Sequence, residues 1–291
     1  MPISSASEML RRATEEGYAI GAFNVTSFVQ MLAVVEAATA KRAPVIIQTS
    51  VTPTLFFGPS TIAAACRAVA DDAPVPVCLH LDHCTDVELC KRCVDAGYTN
   101  IMIDGSRLDF ERNIAVTREI VEYCRSAGDV SVEGELGTVS GVEDQVAVVE
   151  NEAALCPVDK AVEFVERSGI DVFAPAIGTA HGVYTTPDPK IDFRRLEEIV
   201  KLLARREPRT PVVIHGGTGL GADIVRRLVG LGGSKFNVST DLKHVLIDTT
   251  ADYLAQHRKS YNPGKLDSAV KEAHVARVGE WIELLGSTGR A

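Results

Sequence analysis

Residues 75–104, VPVCLHLDHCTDVELCKRCVDAGYTNIMID, hold a complete strand, helix and strand. VPVCLHLD (75–82) and NIMID (100–104) are short runs of apolar and β-branched residues, and DVELCKRCVDAG between them has a helical pattern closed by Gly97. A glycine there tolerates the positive φ that ends a helix before the next strand. Two strands joined through a helix run parallel.

Outward from this unit the same rhythm continues. On one side lie YAIGAFNV (18–25) and PVIIQTS (44–50), and on the other VSVEGEL (130–136), DVFAPAI (171–177), PVVIHGG (211–217) and KFNVST (235–240). Apolar residues recur on single helix faces between them: Phe28, Met31, Leu32 and Val35; Leu196, Ile199, Val200 and Leu203; Ile224, Val225 and Leu228. Gly128, Gly169 and Gly232 mark further returns. Eight strand-helix units favour an α/β (β/α)8 TIM barrel over an open doubly wound sheet, whose first turn is Gly-rich where this chain has FNVTS. Residues 1–291 are read as one barrel domain, with an extra helix over SASEMLRRATEEG (5–17) and one or two helices after about Asn262.

Thirty basic against 39 acidic residues give a net charge of -9, without a Lys/Arg cluster, and aromatics make up only 5% of the chain. That excludes the footprint of a nucleic-acid binder. No apolar stretch reaches the roughly 20 residues of a membrane span, and the N-terminus lacks a signal-peptide core, so a soluble cytoplasmic protein is expected. Seven cysteines, scattered and odd in number, fit a reducing compartment. Cys90 and Cys93 form a lone CxxC inside a helix and are read as buried thiols; Cys84 is a weak candidate for a fourth metal ligand.

The chemistry-bearing residues collect where strands end. His83, His181 and His215 each lie within a few residues of the end of a different strand, and three imidazoles with an open fourth position are the usual set for catalytic zinc. Asn24, Ser50, Asp82, Asp104, Glu135 and Asn237 to Thr240 fall on the same rim, which carries the active site in this fold. His80 is expected to support the site from the core; His244, His257 and His274 are expected on the surface. Gly216, Gly217, Thr218 and Gly219, with the loop one unit later, suit a phosphate held by backbone N–H groups and a helix N-terminus. The connection GTVSGVEDQVAVVENEAALC (137–156) exceeds an ordinary βα loop and reads equally as a lid or as a solvated excursion.

Together the strings HLDH, VEGELG with GVED, GTAHG and HGGTG, in this order, resemble the class II, metal-dependent ketose-bisphosphate aldolases, a family of fructose-1,6-bisphosphate and tagatose-1,6-bisphosphate aldolases. The resemblance runs from GYAIGAFNV to the closing GSTGRA. It implies that His83, His181 and His215 bind a catalytic zinc that polarises the C2 carbonyl of the ketose. Asp82 would exchange the proton of the C4 hydroxyl and Glu143, on the long loop, the C1 proton. Asn24, Ser50 and Asn237 would contact the triose portion. Gly182, Gly216, Gly217, Thr218 and Asn237, Val238, Ser239 and Thr240 would hold its phosphate, with Na+ or K+ nearby. Asp104 and Glu135 match acids of a second zinc position. The products would be dihydroxyacetone phosphate and glyceraldehyde 3-phosphate, and a homodimer or homotetramer is implied.

Two departures bear on substrate. Thr185 stands where many fructose-bisphosphate enzymes of the family have lysine, and Asn262 to Lys265 replace a DPR-type string, leaving Arg107 or Lys265 of a neighbouring subunit as candidates for the distal phosphate. A related aldolase for another phosphorylated or deoxy ketose is the main alternative. A metal-dependent sugar-phosphate hydrolase is more distant, as is a non-catalytic partner subunit, from which loss of Asp82 or the histidines would be expected.

Overall fold

A computed structural model describes residues 3–139, 141–143, 146–148, 154–182, 184 and 189–291, with backbone alone for 142–143 and 146–148. In chain order it has α1 (Ala6–Glu16), β1 (Ile20–Asn24), α2 (Phe28–Lys41), β2 (Val45–Thr49), α3 (Val51–Phe57), α4 (Pro59–Asp71) and β3 (Val77–Cys84). There follow α5 (Val87–Ala96), β4 (Asn100–Ile103), α6 (Phe110–Ala127), β5 (Ser131–Leu136), β6 (Gly141–Glu143) and β7 (Val146–Val148). The chain continues through α7 (Val158–Ser168), β8 (Val172–Pro175), α8 (Phe193–Leu203) and β9 (Val212–Ile214). It ends with α9 (Ala222–Gly230), β10 (Gly233–Val238), α10 (Thr240–Gln256) and α11 (Pro263–Leu284). Strands β1, β10, β9, β8, β5, β4, β3 and β2 close, in that order, into a parallel barrel. This is the expected (β/α)8 architecture, with the expected helix before the first strand and α11 after the last unit.

The opening unit folds as read. Asp86 caps α5 by accepting from the Glu88 and Leu89 amides, and Gly97 closes it at φ 103°. Among the described residues the departures lie elsewhere. Two helices, α3 and α4, fill the β2 to β3 connection where one was expected, because Gly58, at φ 83°, and Pro59 break the run. The long connection contains an antiparallel β6–β7 hairpin. On α2 the buried arc includes Met31, Val34 and Val35, while Phe28, Leu32 and Glu36 form an exposed stripe, so the expected apolar face was rotated. The reason is tertiary: α2 lies against the sheet and α11.

His274 corrects the surface expectation. It is fully buried on α11, within hydrogen-bond distance of the Val270 and Leu242 carbonyls and the Gln30 side chain, because α11 folds back over α2 and α10. His244 and His257 are exposed as expected. All seven cysteines are buried free thiols. No helix among the described residues is long and apolar enough to cross a membrane.

Alternation by two residues builds the barrel interior in layers. The lower layer is apolar: Ile20, Ile46, Cys78, Val172 and Val213 pack with Met9, Leu10 and Ala13 of α1, which plugs the N-terminal mouth. Each large aliphatic side chain buried there contributes about 1.5–3 kcal/mol. Two residues further along the strands the interior turns polar, with His80, Asn100, Glu133 and Lys235, then Asn24, Gln48, Asp82, Glu135 and Asn237, all buried.

Candidate metal and phosphate centre

Adjacent residues on a strand normally face opposite sides, yet Asp82 and His83 both reach the interior. The β3–β4 register explains this: Leu81 pairs with Ile101 and Cys84 with Ile103, so β3 carries one extra residue. His83 absorbs the bulge with φ 47°, a left-handed conformation uncommon outside glycine. Cys84 then faces outward and its thiol donates to the Asp86 carbonyl at 3.3 Å, which removes it as a metal ligand.

The three histidines meet at the C-terminal mouth. His83 and His215 ring centroids lie 4.6 Å apart, His83 and His181 4.8 Å, and His181 and His215 5.8 Å. One nitrogen from each falls within 4.8 Å of the others. His83, Asp104 and Glu135 form a second such group around the same imidazole. The Glu135 Oε2 is buried without a hydrogen-bond partner among the described residues, 3.9 Å from His83 Nδ1 and 4.0 Å from His215 Nδ1. A buried oxygen of this kind is costly unless something pairs with it. Converging imidazoles and an unsatisfied carboxylate oxygen are the donor set a divalent cation takes, so the residues fit zinc.

The hydrogen bonds assign protons to these rings. Glu133 Oε1 lies 3.0 Å from His215 Nε2 and its Oε2 accepts from Lys235 Nζ at 2.8 Å. With His215 Nε2–H donating to Glu133, His215 Nδ1 carries the lone pair that faces His83 Nε2 at 2.7 Å. His83 Nδ1 in turn lies 3.0 Å from Asp104 Oδ2. Without a metal, therefore, His83 donates from both nitrogens as an imidazolium. Burial opposes that charge, but Asp82, Asp104 and Glu135 outweigh it and raise the His83 pKa well above the usual imidazole range. Burial and the His83 charge lower His181 and His215, which remain neutral and ligand-ready.

Asp82 is held by three amides. Asn24 donates to its Oδ2 at 2.9 Å, Gln48 to the same oxygen at 3.2 Å and Asn237 to Oδ1 at 3.3 Å. Burial would raise its pKa, but the neighbouring His83, His80 and Lys235 hold it well below the carboxylate range. Asp104 is likewise lowered against burial by His83 and Ser106. Glu135 moves the other way, raised by burial and by the Asp104 charge.

The turns after β9 and β10 form the adjoining wall. Gly216 has φ 70°, and a Cβ there would come within 2.3 Å of the Ala180 carbonyl oxygen. A Cβ on Gly217 would strike Phe236 at 2.3 Å. Tyr184 clamps the turns, accepting from the Ala180 amide at 3.0 Å and donating to the Gly216 carbonyl at 2.7 Å. Thr218 Oγ1 accepts from the Asp241 amide at 3.1 Å, tying the β9 turn to the start of α10. Val238 ends β10, Ser239 precedes α10 and Thr240 begins it; the Ser239 hydroxyl is buried with no partner among the described residues.

Of the remaining expected residues, Ser50 is buried at the start of α3, and Gly182 follows His181 at φ 90°. Glu143 ends β6, but its side chain lies outside the described residues, as does Thr185. Arg107, after β4, and Lys265, in α11, are exposed. Glu133, Lys235 and Gln48 were absent from the sequence reading. Their signal was alternation: Glu133 shares a face with Glu135, and Lys235 with Asn237.

The class-II fructose-bisphosphate aldolase family matches residues 4–290 of the chain. The chain belongs to this family. Its relatives include a fructose-bisphosphate aldolase of Staphylococcus aureus, 37% identical over 294 residues that cover all of both chains. Among solved structures, the YdjI aldolase from Escherichia coli K12 matches with a TM-score of 0.86 and 29% identity over all of both chains. The fructose-bisphosphate aldolase from Campylobacter jejuni, at 22% identity and a TM-score of 0.84 over 100% of this chain and 97% of that one, shares the fold. Class II aldolases are generally zinc-dependent lyases of carbohydrate metabolism acting on sugar bisphosphates.

Proposed function

We propose that this protein catalyses the reversible retro-aldol cleavage of a ketose 1,6-bisphosphate, fructose 1,6-bisphosphate first and tagatose 1,6-bisphosphate next, to dihydroxyacetone phosphate and glyceraldehyde 3-phosphate. The observation that carries this reading is a buried, ionised Asp82 held by Asn24, Gln48 and Asn237 directly beside three converging histidines. The 37% identical relative named for fructose bisphosphate favours that sugar.

His83, His181 and His215 would hold zinc, which when bound supplies a Lewis acid for the C2 carbonyl. Asp82, an acceptor at neutral pH, takes the C4 hydroxyl proton in cleavage and returns it in condensation. The Asn24, Gln48 and Asn237 amides keep its oxygens aimed. Glu143 exchanges the C1 proton, and Ser50 contacts the triose. Gly182, the amides of Gly216 to Thr218 and those of Asn237 to Thr240 bind the triose phosphate; the partnerless Ser239 hydroxyl supports that assignment. Asp104 and Glu135 provide a second zinc position, and Na+ or K+ belongs near the phosphate loops. Arg107 or Lys265 of a neighbouring subunit would meet the distal phosphate. Exposed Phe28, Leu32, Leu55 and Phe56 on α2 and α3 support self-association into a dimer or tetramer.

The test is a zinc-loaded preparation given each bisphosphate, with release of dihydroxyacetone phosphate followed enzymatically. Cleavage of neither sugar by protein that retains its metal overturns the reading. Free phosphate without triose would point to hydrolysis instead.

A further inference from the structure

Opposite the histidines, at the N-terminal mouth, the molecule has a second concave site. It is a cavity of about 600 Å³ between α1, the ends of α6 and α7 and the turns leading into β8 and β9. Arg11, Arg125, Arg206 and Arg209 line it, together with the hydroxyl-bearing Ser7 and Thr210. Four arginines line this one cavity in a chain whose net charge is -9. Like charges brought together without partners repel, and a surface this acidic overall had many other places for them.

Their hydrogen bonding shows how little of that charge the protein itself uses. Arg125 donates to the Gly169 carbonyl at 2.9 Å. Among the described residues Arg11, Arg206 and Arg209 have no ion-pair partner within 4.0 Å, and Nη1 of Arg206 is buried with no hydrogen bond at all. The two acids of the wall offset only half of the cluster's charge. Asp171 spends its Oδ2 on the Val132 amide at 2.9 Å, and Glu166 is exposed at the edge without a salt bridge among the described residues. The wall therefore carries an excess of two positive charges and a buried N–H donor without an acceptor.

We infer that this N-terminal cavity binds a small multivalent organic phosphate, at a site separate from the catalytic mouth. Guanidinium forks match phosphate oxygens two at a time, which is the pairing that the unengaged Arg206, Arg209 and Arg11 offer. Ser7, Thr210 and the Glu166 carboxylate suit the hydroxyl groups of a sugar or nucleoside portion, and the volume accommodates a ligand of that size. Because Ser7 and Arg11 belong to α1, an occupant also fastens the plug helix to the barrel wall.

Isothermal titration calorimetry of the full-length, zinc-loaded protein with ADP, and separately with citrate, tests this. Arg206→Ala with Arg209→Ala should weaken ADP binding at least tenfold while zinc content and the ligand-free thermal midpoint stay unchanged. Arg209→Ala alone, at an exposed position, should weaken it several-fold and serves if the pair perturbs folding. Amide hydrogen exchange in α1 should slow with ADP only in the unsubstituted protein. Equal ADP affinity in the substituted and unsubstituted proteins would place any binding at the catalytic mouth and overturn the inference. No heat at millimolar ADP, or citrate binding as tightly as ADP, would overturn it as well.

Discussion

The lower and upper halves of the barrel interior are built from the same strands, a few residues apart, and obey opposite rules. Below, Ile20, Ile46, Val172 and Val213 close on Leu10 and Met9 of α1 with no charged side chain among them. Above, Lys235, Glu133, His80, Asp82, His83 and His215 are buried as deeply and satisfy one another by hydrogen bonds and charge, with His181 half-buried at the mouth beside them. The lower half is stabilised by removing apolar surface from water. The upper half gains little from burial and keeps its geometry because each charge has a neighbour that would be exposed as unpaired if it moved.

That contrast can be broken from the top. His215→Ala should abolish stoichiometric zinc binding and turnover together, measured as metal per chain after dialysis. Asp82→Ala should retain zinc yet lose about 10²–10⁴-fold in kcat, the range of a general acid–base group. An Asp82 variant with no metal would erase the distinction between holding the metal and moving the proton. Lys235→Met should cost about 3–5 kcal/mol in denaturant unfolding, because it leaves Glu133 buried without its cation. Leu10→Ala, in the lower half, should cost about 2–5 kcal/mol through cavity formation while leaving zinc content and kcat within twofold. Loss of zinc in that variant would mean that the two halves are not independent.

The smallest effect concerns protons. The raised His83 pKa means that its proton stabilises the metal-free fold at pH values below the ordinary imidazole value of about 6.5, and that this stabilisation is lost as pH rises through the raised value. Zinc must displace that proton. His181 and His215, both lowered, have none to give at neutral pH. Calorimetry in buffers of different ionisation enthalpy should therefore find about one proton released per zinc at pH 7, and affinity should rise with pH across that window. Release of no proton would contradict the assignment of His83 as the protonated ring.

Much of this was legible in the chain because it is local. The strand-helix rhythm around residues 75–104 gave the barrel, and the rule that chemistry gathers at the strands' C-terminal ends collected Asp82, His83, Asp104, Glu135 and His215 before any contact was known. What escaped depends on register between distant segments. Glu133 and Lys235 are 102 residues apart, and nothing in either strand announces the partner. His274 looked like a surface residue because its distant partners, the Leu242 carbonyl and the Gln30 side chain, reach it only when α11 folds back. The exposed stripe of α2 was misread for the same reason: an apolar spacing identifies a helix face but not which neighbours will cover it.

The extra residue in β3 has one more consequence. Loops at a barrel mouth breathe by ångströms as ligands enter and leave, and residues carried on different loops drift relative to one another. Asp82 and His83 cannot: a single peptide bond separates them, and the bulge turns both toward the same space. The proposed proton carrier and the central imidazole of the metal cluster thus share a covalent ruler, and their spacing survives any motion that leaves the strand intact. Grafting the pair onto another barrel would require transplanting that kink along with the two side chains, since on a regular strand the same dipeptide would point one of them into the helices.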